Sequence, residues 1–380
     1  MNLRSKLPHV GTTIFTVMSQ MAHDYKAINL AQGFPNFPPP AELLTAATSA
    51  MQRGMNQYAP MAGYLPLRER IAEKVEALYG RQINADTEIT VTPGGTAAIF
   101  AAIMAVVHAG DEIIICEPCY DSYLPTLELC GASIKRVGMR FPDYSIDWEI
   151  VEKHISPKTR MIILNTPHNP TGSILRKSDT ERLAALVRNT DIIILSDEVY
   201  EHITFDGEAH ESVLRTPELA ERSFVISSFG KTFHVTGWKT GYCVAPAELM
   251  REFRKVYQFM NFACFTPAQV AFAEMLEQKA HYLDLPAFYQ AKRDFFRRQM
   301  QGSRFELLPS HGSYFQLARY NKISDQSDTD FAVWLTQKQG VAVIPVSAFY
   351  ADGTDNHVIR FCFAKTEETL ERAAEVLRGI

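Results

Sequence analysis

The chain has 380 residues, of which 46 % are hydrophobic and 21 % charged, and its formal net charge is −5. That composition suits a globular protein with one large domain and a smaller one, and it lacks the basic excess of a nucleic-acid binder. No apolar run reaches the ~20 residues of a membrane helix and the first eight residues hold no apolar signal core, so a cytoplasmic protein without membrane or nucleic-acid partners is expected.

In chain order, the first forty residues carry a short helix over Thr13–Ala22. They end in Leu30-Ala31-Gln32-Gly33-Phe34-Pro35 and, shortly after, Pro38-Pro39-Pro40. Prolines at that density fit neither a helix interior nor a central strand, and Gly33 lets the backbone approach another group closely. A helix is predicted over Ala41–Met55. Pro66 opens another, with Leu67, Ile71, Val75 and Leu78 on one face and Gly80 as its stop.

From Glu88 strands and helices alternate. Strands are predicted at Glu88–Thr92, Asp111–Cys116, Ser133–Val137, Arg160–Asn165, Asp191–Leu195 and Phe224–Ser228, with Gly241–Ala245 beside the last. Helices are predicted at Thr96–Val107, Asp121–Cys130 and Lys177–Arg188. The run Ile192-Ile193-Ile194-Leu195 marks a strand covered on both faces. The pattern predicts an α/β fold with a mostly parallel, helix-covered sheet. From Pro246 the character changes. Helices at Ala247–Met260, Pro267–Lys279 and Pro286–Met300 precede short strands near Phe305–Leu308, Tyr314–Leu317, Val341–Ile344 and Val358–Phe363. Further helices cover Thr329–Lys338 and the stretch from Glu367. The expected division is a large domain over 41–280 and a smaller α+β domain made of 1–40 and 281–380.

Of six cysteines only Cys116 and Cys119 have C-x-x-C spacing, with no second pair or histidine pattern, so reduced thiols and no metal site are expected. In open parallel sheets, ligands sit outside the carboxyl ends of the strands. There the chain places Gly94-Gly95-Thr96, which reads as a tight turn or, at a helix start, a phosphate cradle. Tyr120 follows the next strand. Asn169-Pro170-Thr171-Gly172 forms a rigid turn. Asp197 ends a buried strand, where a carboxylate requires a cation or serves as a helix cap. Lys231 follows Ser228; a poorly solvated lysine has a lowered pKa and a usable nucleophile. Gly230-Lys231-Thr232 echoes a nucleotide-binding loop, but Val225 stands where that motif needs glycine. Arg360 lies inside an apolar strand and calls for a carboxylate held by its two-pronged end. A phosphate nest, an aromatic ring, a buried acid and a nucleophilic lysine together match pyridoxal 5′-phosphate.

Taken jointly, Asn169-Pro170-Thr171-Gly172, Asp197-Glu198-Val199-Tyr200, Ser228-x-x-Lys231 and Gly237-Trp238-Lys239-x-Gly241 closely resemble the class I and II aminotransferases of fold type I. The resemblance runs from Gly33 to Arg360 and is nearest to the branch of methionine, kynurenine and glutamine transaminases. It implies roles for single residues. Lys231 is similar to the Schiff-base lysine that also shuttles the substrate proton, and Asp197 to the acid that keeps the pyridine nitrogen protonated. That second pairing is worth roughly 5 kcal/mol at ~3 Å and an effective dielectric of ~20, before desolvation. Tyr200 and Asn169 resemble the two groups flanking the cofactor's O3′. Gly95, Thr96, Ser228 and Lys239 resemble the phosphate cup, and Tyr120 the stacking ring. Tyr58 resembles a tyrosine that reaches the partner subunit's phosphate, which implies a homodimer. Arg360 matches the clamp on the substrate carboxylate, with Gly33 and Asn169 beside it. Lys239 stands where many members carry arginine, which removes a bidentate fork.

The resemblance implies a ping-pong transfer from an amino acid to a 2-oxo acid. Methionine is the first expectation as donor; phenylalanine, tyrosine, histidine, glutamine and kynurenine are the others. Aromatic residues near the N-terminal segment (Phe15, Tyr25, Phe34, Tyr64) fit an apolar side chain, and no second strand-borne arginine is visible for a dicarboxylate. The alternative keeps the cofactor and eliminates from the β-carbon of cysteine conjugates.

Overall fold

Alternating apolar strands and helices condense on one large sheet in the computed structural model, which describes residues 3–380. Among these residues there are thirteen strands: β1 (Ile28–Asn29), β2 (Ile89–Thr92), β3 (Glu112–Glu117), β4 (Ser133–Gly138), β5 (Thr159–Asn165), β6 (Ile193–Asp197) and β7 (Ser223–Ser228), followed by β8 (Gly241–Val244), β9 (Glu306–Leu307), β10 (Phe315–Arg319), β11 (Val341–Ala342), β12 (Ile344–Pro345) and β13 (Val358–Cys362). Strands β2 to β8 form a seven-stranded sheet in the order β2-β8-β7-β6-β5-β3-β4. β8 runs antiparallel to β2 and β7, and the other six strands share one direction. All six therefore end at one edge.

Helices bury both faces of this sheet. Those used below are α1 (Ile14–Asp24), α2 (Ala41–Gln52), α3 (Leu65–Tyr79), α4 (Gly95–Val106) and α5 (Tyr123–Cys130). Leu67, Ile71 and Val75 of α3 point into the core as their spacing predicts, and Gly80 ends the helix at φ 71°, a left-handed conformation that glycine adopts without a Cβ clash. In β6, Ile194 and Leu195 are fully buried; each such side chain contributes about 1.5–3 kcal/mol. Buried apolar residues fall into two clusters. One surrounds the seven-stranded sheet, from Leu43 to Tyr282. The other joins Met18–Ala31 to Tyr144, Tyr200–Phe205 and the C-terminal elements through Leu377. In this second body β12-β13-β10-β9 form an antiparallel sheet, and β1 pairs with β11 in parallel.

Several elements depart from expectation. Strand β1, only two residues long, gives no periodicity to read. Val341–Ile344 is not one strand: β11 pairs with β1 while β12 pairs with β13, so the chain changes sheets at Val343. The helix expected over Thr329–Lys338 starts at Asp328, capped by Ser327, and loosens into a π-helical turn from Leu335 to Gln339. A helix at Trp148–His154, capped by Asp147, was not expected.

Behind the strand ends lies a buried polar network. Lys74 of α3 places Nζ 2.7 Å from a Glu201 carboxylate oxygen and 2.8 Å from the Tyr242 hydroxyl, and the Tyr79 hydroxyl donates to the other Glu201 oxygen. Burial pushes the Glu201 carboxyl up, but the Lys74 charge and the bonds it receives outweigh this and hold it below the usual range.

Candidate active site

The parallel strands deliver their last residues to a cavity of about 220 Å³. Eleven of the residues expected at the site reach its wall: Gly33, Gly95, Thr96, Tyr120, Asn169 and Asp197, together with Tyr200, Ser228, Lys231, Lys239 and Arg360. Tyr58 does not; it is 82 % exposed on the surface, with its ring edge-on to Phe262 at 5.4 Å.

Asp197 closes β6 and is 3 % exposed. The Tyr123 hydroxyl of α5 donates to it at 2.6 Å and the Val199 backbone N–H at 3.3 Å. Burial raises its carboxyl pKa to about 6, with these bonds and the Lys231 charge working against the rise. Asp197 thus ends a strand at the cavity wall, and both of these hydrogen-bond donors are uncharged. Asn165 fixes the strand beside it, its side-chain amide donating to the Asp197 carbonyl at 2.8 Å.

Lys231 lies in the single helical turn Phe229–Thr232 that follows β7. Its amine is buried, and desolvation lowers its pKa to about 8; Arg360 and Lys239 push in the same direction. Nζ donates to the Tyr314 hydroxyl at 2.7 Å and to the Gly33 carbonyl at 3.1 Å.

One end of the cavity is built for an anion. Gly94 (φ 83°) turns the chain into α4, whose first amides face the cavity where Gly95 and Thr96 line it. The reversal of direction in β8 sets Gly241 opposite Ser228 and Thr92. A Cβ at Gly241 would stand 2.5 Å from the Ser227 carbonyl and 3.2 Å from the Gly95 nitrogen, so only glycine lets the two turns come this close. Lys239 precedes it with φ 49°, and its Nζ would lie 3.4 Å from a Cβ at Gly94. A lysine charge therefore sits against the positive end of α4. Tyr120 stands beside Thr96, their hydroxyls 3.2 Å apart.

The other end holds Arg360, in the middle of β13 and fully buried. Among the described residues no carboxylate pairs with it. Its guanidinium donates to the Asn169 side-chain oxygen at 2.6 Å and to the Ala31 carbonyl at 2.9 Å, while Nε has no partner among those residues. The group lies over the Phe315 ring at 3.9 Å, with Phe15 and Phe349 also near. Burial lowers its pKa to about 10, so it stays a cation at neutral pH.

Sequence reasoning missed Tyr123 and Tyr314, which hold Asp197 and Lys231. Tyr123 had a signal, three residues beyond Tyr120 at the same strand end. Tyr314 had one in its position directly before a strand that pairs with the strand of Arg360.

Residues 25–377 match the family model for aminotransferase class I and II. The chain is 50 % identical to methionine aminotransferase of Escherichia coli, over 99 % of its own length and 98 % of the relative's. It is 33 % identical to kynurenine–oxoglutarate transaminase of Dictyostelium discoideum, over 97 % and 94 %. The crystal structure from Escherichia coli that identified a methionine aminotransferase function superposes with a TM-score of 0.98 at 49 % identity, each chain wholly covered. That of N-succinyldiaminopimelate aminotransferase from Mycobacterium tuberculosis gives 0.95 at 36 %, again over both whole chains. Likeness of this extent in sequence and in fold, end to end, places the chain in the class I and II aminotransferase family.

Proposed function

We propose that this aminotransferase is a cytoplasmic homodimer that uses pyridoxal 5′-phosphate to move the α-amino group of an apolar or aromatic L-amino acid, methionine foremost, to a 2-oxo acid. The observation that carries this reading is a buried lysine amine and a buried guanidinium, neither paired with a carboxylate among the described residues, opening on one cavity with Asp197. A fully buried arginine is costly without an anion, and the unpartnered Nε of Arg360 fits a substrate carboxylate.

The residues present also fit the cofactor. Lys231 would hold it covalently and Asp197 would face its ring nitrogen. Gly95, Thr96, Ser228 and Lys239 would take its phosphate, Tyr120 its ring face, and Tyr200 with Asn169 its phenolic oxygen. When bound, the cofactor supplies an electron sink for the bond broken at the substrate's α-carbon. The chain does the rest. Arg360 binds the carboxylate and so fixes which bond at the α-carbon faces Lys231. Nζ, neutral above about pH 8, accepts the α-proton. Phe15, Tyr120 and Phe315 give the cavity an aromatic wall.

Arg360 is the one arginine among the described residues lining this cavity, so within one subunit a dicarboxylate side chain finds no second guanidinium. An apolar side chain meets aromatic rings instead, and a thioether gains about 0.3–1.5 kcal/mol from such contacts. The similarity to methionine and kynurenine transaminases supports the same choice. Exposed Tyr58, Phe259, Phe262 and Phe265 support a subunit interface. No helix among the described residues is long and apolar enough to cross a membrane.

The test is spectroscopic. Purified enzyme should show a visible absorbance band that disappears on adding L-methionine alone and returns with a 2-oxo acid. Lys231→Ala should lose both the band and turnover; turnover in that variant would overturn the reading.

A further inference from the structure

Lys231 reaches from one half of the molecule into the other. It follows β7 of the large sheet, yet both acceptors of its amine belong to the second body: Tyr314 directly precedes β10, and Gly33 lies in the loop after β1. The Tyr314 hydroxyl spends its own hydrogen on the Gly33 carbonyl, so toward the amine it acts as an acceptor. Its ring has no freedom to turn away. Tyr314 is fully buried, edge-on to Tyr200 at 5.0 Å and to Phe315 at 4.9 Å, with Tyr289 at 5.8 Å. The phenol is held in place, and its oxygen faces both the lysine amine and the neighbouring Tyr200 hydroxyl.

Resting on the function proposed above, we infer that Tyr314 and the Gly33 carbonyl form the seat of the Lys231 amine whenever it is not covalently engaged. Tyr314 is then a positioning residue. It aims the amine as a base and, through it, ties the Gly33 loop to the large sheet. An amine in C=N linkage keeps at most one hydrogen and cannot serve both acceptors. The substrate's α-amine would take the place of Nζ in that linkage and give up two protons to it, with no oxidant or water consumed. The freed amine regains the hydrogens for both acceptors, so arrival of substrate draws in the loop that carries Gly33.

Tyr314→Phe removes the hydroxyl and keeps the ring contacts, so folding should survive; a melting curve checks this. The enzyme, driven to its aminated form with methionine and no acceptor, is labelled at amines across a pH series, and Lys231 is followed by peptide mass spectrometry. An acceptor favours the ammonium form, so the variant's labelling midpoint should fall by half a unit or more, about threefold in proton affinity. In turnover, kcat should drop about tenfold with KM for methionine within twofold, and the isotope effect from α-deuterated methionine should rise. An unmoved midpoint or an unchanged kcat overturns the seat. A control separates this from the function itself. Wild-type Lys231 should resist labelling before methionine and become labelled after it; if it is labelled throughout, covalent engagement fails and the proposed function falls first.

Discussion

At the residue scale, Asp197 illustrates how one position combines cost and use. Burial raises its carboxyl pKa to about 6, and the Tyr123 hydroxyl is the strongest group opposing that rise. A cation arriving at its open side would complete the pairing and hold it ionised. Asp197→Asn keeps the shape and the bond from Val199 but removes the charge. The expected loss in kcat/KM is on the order of 10³-fold, about 4 kcal/mol of barrier, with methionine KM little changed. Rates within a few-fold of wild type in a steady-state assay would count against an electrostatic role. Asp197, Lys231 and Arg360 stand out in the bare sequence because charge at a buried strand is chemically odd and demands a partner. Tyr123 and Tyr314 stayed hidden for the opposite reason. A tyrosine is at home in a core, and only its hydroxyl's partner, more than 70 residues away for Tyr123 and Asp197, reveals a role.

At the scale of elements, the network between α3, the Glu198–His202 turn and β8 carries the clearest stability prediction. Lys74 and Glu201 each have about 4 % of their side chain exposed, so solvent screens them little. Removing one partner leaves a buried charge unmatched, and Lys74→Met should cost about 3–5 kcal/mol in urea unfolding at pH 7. The pH dependence has a definite sign. Glu201 is held below its unfolded value, so its contribution is present above about pH 4.3 and is lost as pH falls through its folded value. The gap between wild type and variant should therefore be widest near pH 7 and narrow below about pH 4; a constant gap would assign the loss to packing. The main elements were legible because strands of the large sheet are continuous apolar runs and its helices have long amphipathic or wholly apolar faces. What escaped is short or shared. β1 has two residues, and Val341–Pro345 divides between two sheets, a division set by remote partners and invisible in a local pattern.

At the scale of the whole molecule, four aromatic side chains remain turned to solvent: Phe259, Phe262 and Phe265 follow one another closely in sequence, and the Tyr58 ring meets Phe262 from a distant segment. Phe259 is 87 % and Tyr58 82 % exposed, with Phe265 at 57 % and Phe262 at 48 %, the kind of aromatic surface that a partner covers. Phe259→Glu with Phe262→Glu should convert the proposed dimer to a monomer in sedimentation velocity and weaken pyridoxal phosphate binding at least tenfold. A wild-type protein that sediments as a monomer at micromolar concentration would remove the basis for this. Exposure of a single tyrosine such as Tyr58 is unreadable from sequence, since it depends on how α2, the loop after it and the Phe262 turn stack together.

The parallel pairing of β1 with β11 also sets a timetable for synthesis. Ile28 pairs with Val341, so more than 300 residues must leave the ribosome before the first strand meets its neighbour. At roughly 5–20 residues per second that wait lasts on the order of tens of seconds. During it the sheet from β2 to β8 has every strand it needs, while α1 and the Gly33 loop await residues not yet made. Arg360 emerges more than 100 residues after Lys231, so the nascent chain assembles the strand that carries Lys231 well before the strand that carries Arg360.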